Sequence, residues 1–287
     1  MKQTKRKLVA TLLLVFGSMC GVSVAEVSVG GNSPGKSLVL IYELMGGDDG
    51  APWPIVRTQL PPAWVLNPTG SDGPKPDGWP SLGLDPVTAT PEVTWARYDG
   101  TDYEIVVSRW QNDQWTTPEV LTDNSVDDQD PELAYAPDGT ARITFWSEGQ
   151  VYWLTRVPSG SWSSPESVDA GVESSTAGSS EDLVAYHRPM DPLGAEILVA
   201  ERTAGWSPTS LTTTTFAGLD GNGDVDVRLH ALSGRVWVDW EDSAGFLGWS
   251  VRPQSGAWSP PKYEPISGSE DEEAGRRRIQ GHVLKGL

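Results

Sequence analysis

Acidic side chains recur just ahead of short apolar runs. Asp77, Asp128 and Asn222 each stand three residues before Pro80, Pro131 and Val225, and Asp130 and Asp224 share a second register. Oxygens gathered in this way suit a hard cation, because Ca²⁺ takes about six to eight oxygen ligands and needs their charge. The string DGNGDVD at 220–226 places Asp220, Asn222, Asp224 and Asp226 at alternate positions with glycines between, as the start of a Ca²⁺ loop does. The glutamate that would complete such a loop is missing, with Ala231 and Leu232 in its place, so a solvated Asn-Gly turn is the competing reading. Carboxylates around a common axis can also hydrolyse a glycosidic bond, one as acid and one as base or nucleophile. Asp130, Glu132, Asp224 and Asp226 are the residues placed for that chemistry.

Arginine and tryptophan repeat together: Arg57 and Trp64, Arg109 and Trp115, Arg156 and Trp162, Arg202 and Trp206, Arg252 and Trp258. An indole face stacks on pyranose C–H groups and a guanidinium donates to hydroxyls, so equivalent sugar sites at these arginines are one reading. The other is structural. A residue repeated in every unit solves a problem that every unit has: here a Trp filling the gap between sheets, and an Arg paired with a carboxylate such as Glu43, Glu148 or Glu241. Trp53 and Trp79 stand in Pro- and Gly-rich segments and are the candidates for touching a ligand, with packing as the competing reading, whereas Trp110, Trp153, Trp237 and Trp249 fall in strand-like runs and are expected to pack. His187, His230 and His282 lack a metal-ligand spacing.

The elements that must position these residues follow from the same period. The closing tryptophans are 51, 47, 44 and 52 residues apart. A second aromatic keeps register upstream at Tyr42, Trp95, Trp146, Tyr186 and Trp240, 15 residues after Val27, Pro80, Pro131 and Val225 in four of the copies. In the third copy, 132–136, 141–146 and 150–157 read as strands separated by Asp-Gly and Glu-Gly turns, before an outer segment that begins at Trp162. Strand-sized runs of Val, Ile, Thr, Tyr and Trp predict three or four antiparallel strands per unit of about 40 to 50 residues. Such small sheets become stable by stacking face on face around a ring. The expected fold is all-β: a five-bladed propeller of four-stranded antiparallel blades over 26–268, with a sixth blade if the tail supplies strands. The tail at 269–287 carries acids first and bases later, which suits a short helix as well as a frayed end.

Residues 131–148, reading PELAYAPDGTARITFWSE, resemble one blade of the TolB-like and sialidase-like propellers: an inner strand, an Asp-Gly turn and an apolar second strand. The resemblance implies a propeller and not an activity, since that fold hosts hydrolases, lectins and scaffolds alike. The sialidase Ser-x-Asp-x-Gly-x-Thr-Trp boxes and Arg-Ile-Pro string are absent, which disfavours a sialidase. The repeated arginines and Gly-x-Trp ends are similar to those of sugar-binding propeller lectins, which implies ligand pockets between blades.

Composition narrows the partners. With 39 acidic residues against 21 basic ones and a formal charge of −18, the chain is unsuited to phosphate backbones, and no nucleic-acid partner is expected. Residues 1–25 read as a signal peptide: Lys2, Lys5, Arg6 and Lys7, then an apolar run, then a small-x-small site at Ser23 and Ala25. The expected location is secreted or periplasmic, without membrane insertion. Cleavage would remove Cys20, the chain's one cysteine, so stability must come from packing. The sequence therefore predicts an exported, monomeric, non-catalytic module binding glycan or protein, with Ca²⁺ as the one cofactor suggested. A glycoside hydrolase is the alternative, and an envelope or extracellular scaffold is the third reading.

Overall fold

The computed structural model describes Val22–Val24, Tyr42–Leu44 and residues 77–112, 114–190, 194–212, 227–232, 234–241, 246–253 and 256–265. Trp53, Arg57 and Trp64 of the first repeat copy, the loop with Asp220, Asn222, Asp224 and Asp226, and the tail at 269–287 lie outside the described residues. Every regular element among the described residues is a strand. The first two, β1 (Val22–Val24) and β2 (Tyr42–Leu44), pair with each other across the expected end of the leader.

Four antiparallel sheets follow in chain order. The first holds β3 (Gly78–Leu84), β4 (Pro91–Tyr98) and β5 (Tyr103–Gln111), with two short strands, β6 (Gln114–Trp115) and β7 (Glu119–Val120), sharing the outer edge of β5. The second runs β8 (Gln129–Tyr135), β9 (Ala141–Ser147), β10 (Gln150–Arg156), β11 (Glu166–Ala170). The third runs β12 (Val172–Thr176), β13 (Leu183–Met190), β14 (Gly194–Arg202), β15 (Trp206–Ser210). The fourth runs β16 (Val227–Leu232), β17 (Arg235–Glu241), β18 (Phe246–Pro253), β19 (Lys262–Pro265). The turns are specified locally. Between β8 and β9, Gly139 closes the Asp-Gly turn at φ 86°, a left-handed conformation that glycine adopts without steric cost.

Hydrophobic residues on both faces of the strands decide how the sheets assemble. Ala96 and Ile105 of the first sheet share a core with Leu133, Tyr135, Ile143, Phe145 and Leu154 of the second. Val151, Trp153 and Val168 of the second meet Val184, Tyr186 and Leu198 of the third. Leu183, Ile197 and Val199 of the third meet Leu229, Val236, Val238 and Trp240 of the fourth. Successive sheets are thus stacked face to face with their first strands, β3, β8, β12 and β16, in sequence. This is a β-propeller, and four of its blades are described; the remaining expected blade falls on the first repeat copy.

The closing tryptophans occupy one position in this stack. Trp162 packs on the core between the first and second blades, Trp206 on the next core and Trp258 on the third. Each therefore lies against the face that its blade turns toward the preceding one. Trp115 takes the matching place on Val93, Trp95 and Val106.

The upstream aromatic needs one correction. Cross-strand pairing aligns Thr94 with Thr144 and Ala185, through their partners Ser81, Glu132 and Ser175. The buried aromatics one residue further are then Trp95, Phe145 and Tyr186, and Trp240 fills the same place in the fourth blade. Phe145, and not Trp146, holds this position. The loop from Leu84 to Pro91 is one residue longer than that from Tyr135 to Ala141, and a shift of one residue moves a side chain to the other face. Trp146 accordingly packs toward the third blade.

Trp240 is fully buried, and it sits so close to Gly248 that a Cβ there would lie 2.3 Å from its ring. Trp240→Ala should lower stability by about 3–5 kcal/mol through loss of a buried aromatic, whereas Trp79→Ala, at a site 37% exposed, should cost under about 1 kcal/mol. Urea denaturation of the two variants checks this. Wild-type stability in Trp240→Ala would remove the packing role.

Candidate functional site

Among the described residues, three of the repeated arginines reach across the seams between blades. Arg156 of β10 reaches back to Glu92 of β4, with Nη1 donating to Oε1 at 2.9 Å and Nη2 to Oε2 at 2.6 Å. Its guanidinium also lies 4.7 Å from the Trp162 ring centroid. Glu92 is fully buried and is approached from its own sheet by Arg109 Nε at 2.9 Å, while the Tyr135 hydroxyl donates to it from β8. Burial and the Glu92 carboxylate push the Tyr135 hydroxyl well above the ordinary tyrosine range.

The pattern continues around the ring. Arg252 of β18 reaches back to Glu181 of the third blade at 2.8 Å and lies 5.2 Å from the Trp258 ring centroid. Arg202 of β14 reaches back to Glu166 of the second at 2.8 Å, but in solvent. The carboxylates that Arg156, Arg202 and Arg252 reach across the seams are Glu92, Glu166 and Glu181. Arg156 and Arg252, each buried against a carboxylate of the preceding blade and an indole of its own, are seam residues in this structure.

Glu92→Gln should cost about 3–5 kcal/mol, because it leaves buried guanidinium charge short of its counter-ion. Glu166→Gln, where both partners of the pair are nearly 40% exposed, should cost about 1 kcal/mol or less. Equal effects in chemical denaturation would contradict this division between buried and exposed pairs.

The other chemistry gathers at one end of the sheets. Each of the first three blades begins its first strand with the same irregularity, a bulge whose left-handed residue is Trp79 (φ 48°), Asp130 (φ 52°) or Glu173 (φ 47°). Trp79 therefore stands in a bulge at the start of β3 and not in a free loop, with its ring edge-on to Tyr103 at 5.5 Å. Asp130 and Glu132 are half-buried on the same strand, and Glu132 accepts a hydrogen bond from Ser175 of the next blade at 3.2 Å. Asp77, at the same end, accepts from the Trp95 indole at 3.2 Å.

Beside these bulges lies a shallow open cleft of about 440 Å³. Thr101 and Asp102 line it from the β4–β5 turn, Ser125, Val126 and Asp127 from the crossing loop, and Gln129, Trp146 and Glu148 from the second blade. The turn is built by Asp99, whose Oδ1 accepts from the backbone N–H groups of Thr101 at 2.7 Å and Asp102 at 3.2 Å. The crossing loop is fixed to it by Asp127, which accepts from the Tyr103 N–H at 3.1 Å. Behind the turn, Glu104 accepts from the Thr122 hydroxyl at 2.5 Å and from the Asn124 N–H at 2.9 Å, and Asn124 donates to Asp128 at 2.8 Å.

Two stretches of six residues, 99–104 and 123–128, thus bring Asp99, Asp102 and Glu104 near Asp123, Asp127 and Asp128. Burial, and then the charges of Asp99, Asp127, Asp128 and Asp123, push the Asp102 carboxyl above its ordinary range. Burial does the same to Glu104 and Asp128 against their hydrogen bonds. Asp99 is held below its range by the two backbone N–H groups. Of these acids the sequence pattern marked only Asp128. Asp99, Asp102 and Glu104 lie outside both repeat registers, although DGTDYE at 99–104 carries three carboxylates within six residues.

No protein-family model and no curated protein matches the chain. Among solved structures it is similar to a Hadza microbial sialidase, at 13% identity and a TM-score of 0.48 over 78% of this chain and 54% of that one. It is also similar to the Aleuria aurantia lectin in complex with alpha-methyl-L-fucoside, at 13% identity and 0.47 over 88% and 75% of the two chains. A third is a lectin from Burkholderia pseudomallei, at 12% identity and 0.49 over 90% and 69%. The chain spans about half the length of that sialidase.

Proposed function

We propose that this chain is an exported, monomeric, non-catalytic propeller module that binds glycan at the cleft between its first two described blades. One observation carries the reading: an open cleft lined by Trp146 together with Thr101, Asp102, Ser125, Asp127, Gln129 and Glu148. A pyranose presents C–H faces to an indole and hydroxyls to carboxylate and amide oxygens, and a few convergent polar groups beside an aromatic suffice to orient it. The leader read at 1–25 supports export. The seams lined by Arg156 and Arg252 are closed by ion pairs, which favours this cleft over equivalent sites between all blades.

One feature favours the hydrolase as second reading. Three carboxylate residues, Asp102, Asp127 and Glu148, line the same cleft, and an acid and a base are the groups that hydrolysis requires. A glycan-array screen of the purified protein, with product release followed on the same sugars, separates the readings. Binding without turnover is expected, weakened about tenfold in Gln129→Ala or Glu148→Gln by loss of one polar contact. Turnover would move the assignment to the hydrolase. Silence on every sugar would end the glycan reading and leave a protein ligand or a scaffold.

A further inference from the structure

We propose that Asp99, Asp102 and Glu104 form a Ca²⁺ site at the β4–β5 turn, beside the cleft. The first support is geometric. Each of the three side chains offers a carboxylate oxygen, and these oxygens all lie within 4.8 Å of one another. Three oxygens this close all lie within about 2.8 Å of one common point, near the usual Ca²⁺–O distance of about 2.4 Å, so a small side-chain shift lets one ion touch all three.

The second support is an unsatisfied group. Asp102 is only 5% exposed, and its Oδ2 is buried with no hydrogen-bond partner. Burying a carboxylate oxygen without a donor is costly, so buried acids are paired, protonated or bound to metal. The charges that bear most on Asp102 are those of Asp99, Asp127, Asp128 and Asp123, all acidic. A cation removes that conflict in a way that a further side chain does not.

The remaining contacts hold the site in shape. Asp99 is fixed by its two backbone donors, and Glu104 by Thr122 and Asn124. A carboxylate oxygen that accepts one hydrogen bond keeps a second lone pair for an ion. A hard cation is indicated because every ligand offered is oxygen and the ligand set carries a charge of about −3. This site is separate in sequence from the loop at 220–226.

The test uses calcium alone on chelator-stripped protein, so its outcome does not depend on whether any glycan binds. Saturating CaCl₂ should raise the melting temperature by about 5 °C, and calorimetry should show a binding isotherm. In Asp102→Asn both responses should disappear. That variant removes a charge that burial and its neighbours disfavour, so its calcium-free melting temperature should equal or exceed the wild-type value. A flat response in the wild-type protein overturns the proposal. An undiminished response in Asp102→Asn does so too, because the ion would then be bound elsewhere.

Discussion

A sheet of four short strands cannot stand alone in water when both of its faces are apolar. That constraint shapes this molecule. Val151 and Trp153 on one face of the second blade, and Phe145 and Leu154 on the other, are buried only because blades lie on both sides. Stacking in chain order satisfies both faces with short connections and turns most strand edges away from solvent. The period in the sequence, one Trp and one Arg per unit, is the record of that packing.

Stacking creates a second demand at the seams, where polar groups of one blade are buried by the next. The structure meets it with charge tied across the seam: Arg156 to Glu92, and Arg252 to Glu181. Such pairs add little net stability over apolar packing, but they penalise misregistration, since a displaced blade would bury a lone charge. With the seams closed in this way, chemistry is left to the ends of the sheets, where turns and crossing loops are free to carry residues that no packing rule requires. The acids at 99–104 and 123–128 stand there.

The parts of the fold set by local pattern were legible in the sequence. The Asp-Gly turn at 138–139, the strands of the second blade and the closing tryptophans follow from alternation and turn chemistry, which act over a few residues. Trp146 was misassigned because register depends on the lengths of two turns, and spacing alone does not separate a bulge from an added loop residue. The partners of the arginines were illegible for another reason: Glu92 and Arg156 are 64 residues apart, and nothing local to either marks the other. The cleft is harder still, since Asp102 lies next to Asp127 only through folding of the crossing loop. Trp79 was read as a loop aromatic and stands instead in a bulge at the start of β3, a conformation that spacing alone does not mark.

The central claim is that the repeated arginines hold the blades together while the acidic cleft does the binding. Hydrogen–deuterium exchange with and without the best glycan from the array tests it most directly. The account predicts slowed exchange confined to 99–104, 123–129 and 146–148. Slowed exchange at 156–162 and 252–258, with the cleft unchanged, would contradict it and place the ligand in the arginine seams.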